Sequence, residues 1–387
     1  MKILYLANIR LPTERAHGYQ IMKMCQALSS VGAEVSLYHP QRQQSPLVKK
    51  SGKDPFDFYN ISPNFKIHTL PNLDVVSWER YLPVFTRPLL GFLQNFFWAF
   101  YAVNKTRKIF ADIYYTRDLT VAFWLAYFQK RFIFEIHTLP RKRSWLIRSV
   151  LGSGDLLLAA ALTSFIKNKL VKWGAPEDKI IVAPDAVDLS AFKNLPSPKE
   201  CRRKFNLPED VWLVGYIGRF ESIGREKGVG ILAEAVRQIP EVDGRKVMLL
   251  AVGGPLPMVE KYKNQQTIFF DHQPAEDVPY WIKACDVVTI PWQWTEFSAY
   301  YTSPLKLFEY MAADVPIIAS DLPALREVLN ENNAVLVKAG DREALVVAIE
   351  KLLKNPDLSS KIAEQAKADV QQYTWEKRAQ KILKLIR

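Results

Sequence analysis

Cysteine is scarce: Cys25, Cys201 and Cys285 are the three in 387 residues, far apart and in no CxxC pair. That argues against a disulfide framework or a thiolate zinc cluster and makes a reducing cytoplasm the default compartment. A membrane-crossing run is lacking too. The most apolar stretch, RYLPVFTRPLLGFLQNFFWAFYAVNKTRK (80–108), is interrupted by Pro88, Gln94 and Asn95 between Arg87 and Lys105, short of the ~20 apolar residues a spanning helix needs. The opening MKILYLANIRLP carries Asn8 and Arg10 without a small-residue cleavage site, so it reads as a first strand and not as a signal peptide. No two aspartates are spaced as DxD, and neither GxGxxG nor GxxxxGK[ST] occurs.

What is present suits a soluble globular chain, with 49% hydrophobic and 24% charged residues. Single cores stop growing near ~250 residues, so 387 residues imply two domains. The net charge of +12 is uneven: residues 1–190 hold 25 Lys+Arg against 14 Asp+Glu (+11), and residues 191–387 hold 27 against 26 (+1). The basic half shows no helix-turn-helix, zinc-finger or RNP-type pattern, so nucleic acid is not expected as a partner. Its cations alternate with bulky apolar residues in 80–108 and in LPRKRSWLIRSVL (139–151). Two readings stay open: amphipathic helices packed on their own domain with solvated cations, or peripheral contact with an anionic membrane surface.

Along the chain, short β-like runs alternate with helical ones. Strands are expected at 2–8, 33–40, 112–117, 131–137, 155–160 and 179–184, with helices at 18–32, 119–129 and 163–173. The scheme repeats with strands at 211–218, 246–254, 267–271, 286–291, 315–320 and 334–339, and with helices near 228–238, 276–284, 303–314, 322–330 and 341–354. Strand, helix, strand in repetition implies doubly wound parallel sheets. The Pro-rich, charged stretch 193–210 is the expected linker. The fold class is therefore α/β, two Rossmann-like domains expected to face each other across a cleft, with ligands at the carboxyl ends of the strands.

The segment SPLKLFEYMAADVPIIASD (303–321) is densest in information. Pro304 suits a first helical position and Ser303 an N-cap, leaving free amides near Leu305 and Lys306 as an anion site. Glu309, one turn on, is placed to accept hydrogen bonds from vicinal ribose hydroxyls; a satisfied helix acid is the alternative. GYIGRFESIGREKGVG follows a strand and supplies Arg219 and Lys227, two cations suited to a diphosphate, although loop cations are usually just solvated.

GRF and EKG, VGG (252–254), YWIKACDVVTIPW (280–292) and 303–329, in this order and spacing, resemble the retaining glycosyltransferases of family four, of GT-B fold, in the subgroup with an SPLKLFEYM-like donor helix. RAHGYQIMKMCQAL, EIHTLP, VAPDAVDLSAF and YTWEKRAQKIL extend the resemblance to nearly the whole chain. It implies an acceptor-side domain over 1–190, a donor domain over 191–369 and a last helix, about 370–387, that crosses back to the first. Arg219 and Lys227 would hold the donor diphosphate, and Ser303, Leu305 and Lys306 would lend backbone groups near it. Glu309 would bind the ribose, Gly18 would lie where a loop approaches phosphate or acceptor, and His137 would face the transferred sugar. A second Glu usual in the family eight positions before Glu309 is Tyr301 here, with Glu296 as a substitute from the preceding loop.

The expected reaction is metal-independent transfer, with retention, from a nucleoside diphosphate sugar such as a UDP- or GDP-sugar. No cofactor is expected. The expected acceptor is a glycan or lipid-linked acceptor in polysaccharide or glycolipid assembly, and the expected location is cytoplasmic, with a peripheral position at the inner face of the plasma membrane if the membrane reading holds. A nucleotide-sugar epimerase of the same fold and a non-catalytic basic membrane- or nucleic-acid-binding scaffold are the alternatives.

Overall fold

The computed structural model describes residues 1–74, 86–140, 144–222 and 225–386. The chain forms two compact units, Met1–Pro184 with Trp375–Arg387, and Asp185–Thr374.

Unit 1 runs β1 (Lys2–Leu6), α1 (Ala16–Ser30), β2 (Glu34–Pro40), α2 (Pro46–Ser51), α3 (Pro55–Tyr59), β3 (Lys66–Leu70), α4 (Arg87–Thr106), β4 (Ile113–Thr116), α5 (Leu119–Tyr127), β5 (Phe132–Ile136), α6 (Ser144–Leu151), β6 (Leu156–Ala161), α7 (Ser164–Lys172) and β7 (Ile180–Val182). Its strands are all parallel, in the order β3-β2-β1-β4-β5-β6-β7. The order reverses between β1 and β4, the switch point at which such sheets leave a crevice. Ile3, Leu4, Tyr5 and Leu6 are all fully buried, as expected of a central strand with helices on both faces.

Unit 2 runs α8 (Pro198–Lys204), β8 (Val211–Ile217), β9 (Glu221–Ser222), β10 (Arg225–Glu226), α9 (Val229–Arg237), β11 (Glu241–Val242), β12 (Arg245–Val252), β13 (Thr267–Phe270), α10 (Val278–Lys283), β14 (Val287–Ile290), α11 (Glu296–Tyr300), α12 (Leu305–Ala312), β15 (Ile317–Ser320), α13 (Pro323–Arg326), β16 (Val335–Val337), α14 (Arg342–Lys354) and α15 (Pro356–Asp369). The final helix, α16 (Trp375–Lys384), returns to unit 1. The main sheet has the order β12-β8-β14-β15-β16, with β13 parallel on the outer edge of β12, so its switch point lies between β8 and β14. Only β11 runs antiparallel in that sheet among the described residues. Two buried clusters fill its faces, one around Trp281, Phe308 and Tyr310 and the other around Tyr216, Phe220 and Leu249.

Three sequence expectations need correction. The stretch 193–210 is no linker: Ser197 and Glu200 form a capping box that starts α8, and Phe205 stacks on Trp281 at 3.6 Å between ring centroids. Arg202, 3% exposed, donates to Asp286 at 2.6 Å and to the carbonyls of Ala284 and Val211. The chain instead passes between units at Pro184–Asp185 and Thr374–Trp375. Second, the helix expected at 303 begins at Leu305; Pro304 is extended (φ −78°, ψ 129°) and serves as an N-cap without a side-chain bond. The Ser303 hydroxyl accepts the Asp185 amide at 2.8 Å instead of capping. Third, the helix expected over 322–330 is one turn, Pro323–Arg326.

The apolar segment 87–106 forms α4, which buries Trp98, Ala99, Ala102 and Val103. With α5 and α6 it carries an aromatic cluster in which Phe96, Phe100, Phe123, Trp124 and Trp145 meet edge to face or tilted. Phe97, Tyr127 and Trp145 stay more than half exposed, and the Arg107 guanidinium lies 4.6 Å from the Phe128 centroid. Among the described residues no helix is long and apolar enough to cross a membrane. The basic residues Arg141, Lys142 and Arg143, and Arg80, counted in the expected surface, lie outside the described residues.

Candidate functional site

In unit 2 the loops leaving the carboxyl ends of three parallel strands converge. Gly218 follows β8 at φ +130° and Gly253 follows β12 at φ +136°, a region that side chains rarely adopt. A Cβ on Gly253 would lie 2.4 Å from the Gly218 carbonyl carbon, and one on Gly218 would lie 2.8 Å from Lys306 Nζ. Glycine at both positions therefore lets two backbones and a lysine share one point. Helix α12 is tied to the same place: the Tyr310 hydroxyl accepts the Ile217 amide at 2.7 Å and donates to the Ile217 carbonyl at 3.1 Å.

Arg219, Lys227, Lys306 and Glu309 gather there and act on one another electrostatically. Arg219 is partly exposed and reaches Glu221 at 3.1 Å. Burial, with the Arg219 charge nearby, brings the Lys227 ammonium down to about 8, and its Nζ lies 5.8 Å from the Trp292 ring centroid. Lys306 is 8% exposed, and its Nζ sits over the Tyr216 ring. Burial first, then Lys227, push that ammonium well below the ordinary lysine range, with Glu309 opposing. Burial raises the Glu309 carboxyl to about 7 against the pull of Lys306. Burial and mutual repulsion thus disfavour the charged forms of Lys227 and Lys306, beside the free amides at the start of α12, a cost that a bound anion would relieve.

The other expected residues of this unit are placed differently. Leu305 is the first residue of α12, while Ser303 is engaged with Asp185. Glu296 opens α11 on an exposed position, and Tyr301 is its half-buried C-cap. A hollow lined by Asp314, Pro316, Ser359, Lys367 and Gln371, past the carboxyl end of α12, contains none of the expected residues.

In unit 1, Gly18 lies inside α1 rather than in a loop. The room beside it is filled by its own unit: a Cβ there would be 2.1 Å from the Tyr59 hydroxyl and 2.6 Å from Thr13 Cγ2. That hydroxyl accepts the Thr13 amide and donates to the Thr13 carbonyl.

His137 is held by residues that sequence reasoning did not single out. Its Nε2 is 2.5 Å from Glu135 Oε1. The fully buried Glu135 also accepts from Gln20 Nε2 at 2.6 Å, the Tyr115 hydroxyl at 2.5 Å and Arg378 Nη1 at 3.1 Å. Arg117 donates to Gln20 Oε1 at 2.7 Å, which fixes the amide orientation. Burial alone would raise the Glu135 carboxyl, but Arg378, the His137 hydrogen bond and Arg117 hold it well below the usual carboxylate range. Burial, then Arg117, bring His137 down to about 4, despite the neighbouring carboxylate. The one sequence signal for Glu135 is its i, i+2 spacing from His137, the residue just past the end of β5, which lets the two side chains meet.

Two switch-point sheets, with cations and glycines collected at the strand ends of the second, define the GT-B class of α/β protein. HepE of Anabaena, solved with UDP, shares the fold at 16% identity and a TM-score of 0.72, over 99% of each chain. Residues 212–355 match the family described as Glycosyl transferases group 1. A D-inositol 3-phosphate glycosyltransferase of Corynebacterium urealyticum is 22% identical over 65% of this chain and 61% of its own length. A putative teichuronic acid biosynthesis glycosyltransferase, TuaC of Bacillus subtilis, is 26% identical over 52% of this chain and 48% of its own. The chain thus spans half to three fifths of the length of these curated relatives.

Proposed function

We propose that this protein transfers a sugar from a nucleoside diphosphate sugar to a glycan or lipid-linked acceptor, with unit 2 as the donor-binding unit. The observation that carries this reading is the cluster of Arg219, Lys227 and Lys306 around Gly218 and Gly253, with Glu309 one turn into α12. Arg219 and Lys227 pair with the diphosphate and balance the charge that grows on it as the glycosidic bond breaks. Glu309 accepts hydrogen bonds from the ribose. Fixed cations and the amides of α12 take the charge-balancing part, so this reading calls for neither metal nor cofactor. Transfer retains the anomeric configuration: the acceptor attacks from the face of the leaving group, and a departing phosphate oxygen helps take its proton. His137 contacts the transferred sugar. The match of residues 212–355 and the UDP complex of HepE support a nucleotide-sugar donor.

The exposed aromatics of α4, α5 and α6, on the half of the chain that carries +11 (25 Lys+Arg less 14 Asp+Glu in residues 1–190), support an acceptor presented at an anionic membrane surface. The protein then works in the cytoplasm, peripheral to the inner face of the plasma membrane, in polysaccharide or glycolipid assembly.

The test is a screen of UDP- and GDP-sugars for release of nucleoside diphosphate, with and without lipid-extract acceptors. One donor should turn over, and Arg219→Ala with Lys227→Ala should lower kcat by ~10²–10³-fold in a protein that stays folded. Nucleotide binding without turnover of any donor would sink the reading.

A further inference from the structure

The group around Glu135 is built more heavily than support of a strand end requires. Its carboxylate takes four donors from four separate places: Gln20 on α1, Tyr115 on β4, His137 after β5 and Arg378 on α16. Arg378 is itself fixed, with Nε donating to the Pro184 carbonyl at 2.9 Å and Nη2 to the Ala183 carbonyl at 3.1 Å. A carboxylate that already accepts from an amide, a phenol and a guanidinium has only acceptor capacity to offer a ring nitrogen 2.5 Å away. The His137 nitrogen facing it must carry the proton. Nδ1 has no hydrogen-bond partner among the described residues, and the side chain keeps 16% of its exposure.

We propose that Glu135 and Arg378 are positioning residues for His137: Glu135 fixes the Nε2–H tautomer, so that Nδ1 presents a lone pair to a substrate hydroxyl, and Arg378, delivered by α16, holds that carboxylate in place. The role of His137 toward substrate rests on the transferase reading above; the tautomer does not. In this arrangement His137 Nδ1 accepts a hydrogen bond from a hydroxyl that donates, and toward that hydroxyl the ring is neither a cation nor a proton donor at neutral pH. Ring orientation by a partner on the far nitrogen is the same device that sets histidine ligands around metals. The low proton affinity of His137 agrees with it, being set by burial and by Arg117 and Arg378 against Glu135.

The test is nitrogen NMR of the histidine side chains in the full-length, uniformly labelled protein without ligand, with His137 assigned by its loss in His137→Asn. A single Nε2–H pattern, unchanged from pH 6 to 8, is expected for His137. Glu135→Gln should replace it with averaged or mixed tautomers, and Arg378→Met should do the same. Arg378→Lys, which retains the charge, should restore the single pattern. Tyr115→Phe removes one donor and should leave the tautomer as it is, which separates positioning from general loosening if Glu135→Gln folds poorly. A wild-type Nδ1–H or doubly protonated ring at pH 7 would overturn the proposal, as would a folded Arg378→Met protein with the wild-type pattern. Because no substrate is involved, this outcome is independent of whether a sugar donor is found.

Discussion

The Lys306 ammonium nitrogen lies 3.5 Å from the centroid of the Tyr216 ring and has no hydrogen-bond partner among the described residues. Cation–π attraction and the nearby Glu309 carboxyl offset part of the cost of burying that charge, but a buried ammonium with no hydrogen-bonded partner is normally destabilising. Such a site is poised to gain an anion.

Lys306→Met should therefore make the free protein more stable, by ~1–3 kcal/mol, while weakening UDP binding by about tenfold. Urea unfolding and calorimetric titration with UDP read the two effects separately. A loss of stability with unchanged UDP affinity would reduce Lys306 to a packing residue.

Nucleotide binding should depend on pH in the direction set by Lys227. In the free protein its ammonium titrates at about 8 instead of the ordinary 10.5, so it is charged at pH 7 and largely neutral at pH 9. A diphosphate favours the charged form. UDP affinity should hold below pH 7, fall as pH rises through 8, and be accompanied there by proton uptake, visible as a buffer-dependent heat. Lys227→Arg should keep the affinity and remove the fall. The stability of the free protein runs the other way, rising between pH 8 and 10.5, because the unfolded chain then holds a proton that the fold has lost.

Unit 1 should be acid-sensitive in two stages. His137 titrates at about 4 in the fold against 6.5 ordinarily. As pH falls below 6.5 the unfolded chain takes up a proton that the native state refuses, and stability declines down to about pH 4. The stabilisation from Glu135, whose carboxyl is depressed, is lost as pH falls below the unfolded value of 4.5. Burial also brings His17 down to about 3 and His39 down to about 4, so His137→Asn should flatten only part of the upper stage in pH-dependent urea melts.

The aromatic face should partition to charged lipid. Sedimentation with vesicles containing phosphatidylglycerol is expected, weakening at high salt, with little binding to phosphatidylcholine alone. Phe97→Ser with Trp145→Ser should reduce binding several-fold without loss of UDP affinity. Equal binding to both vesicle types would remove the case for an anionic surface.

Much of the sheet architecture was legible in the residues, because central parallel strands such as KILYL and VWLVGYI are continuous apolar runs that sequence alone exposes. The edge strand β3 escaped notice, since KIHTL alternates with polar residues and pairs on one side only, with β2. Segment 193–210 was misread for a related reason: its Pro and charge density resembles a linker, yet Arg202 finds Asp286 84 positions away and so becomes part of the core. The cations and Glu309 of unit 2 stand out in sequence as two local groups, Arg219 and Lys227 among the glycines of 215–230 and Lys306 with Glu309 in the first turns of one helix. Glu135 was not, because what makes it unusual is Arg378, 243 positions further on. No local pattern carries a pairing of that span.

That span also sets an order of events during synthesis. The Glu135 carboxylate is made before unit 2 and its guanidinium, 243 positions later, after it, so the first unit cannot complete its charge pairing until the whole of the second has been synthesised. The later-made unit can therefore finish folding before the earlier one, and the nascent first unit must wait with Glu135 lacking one of its four donors.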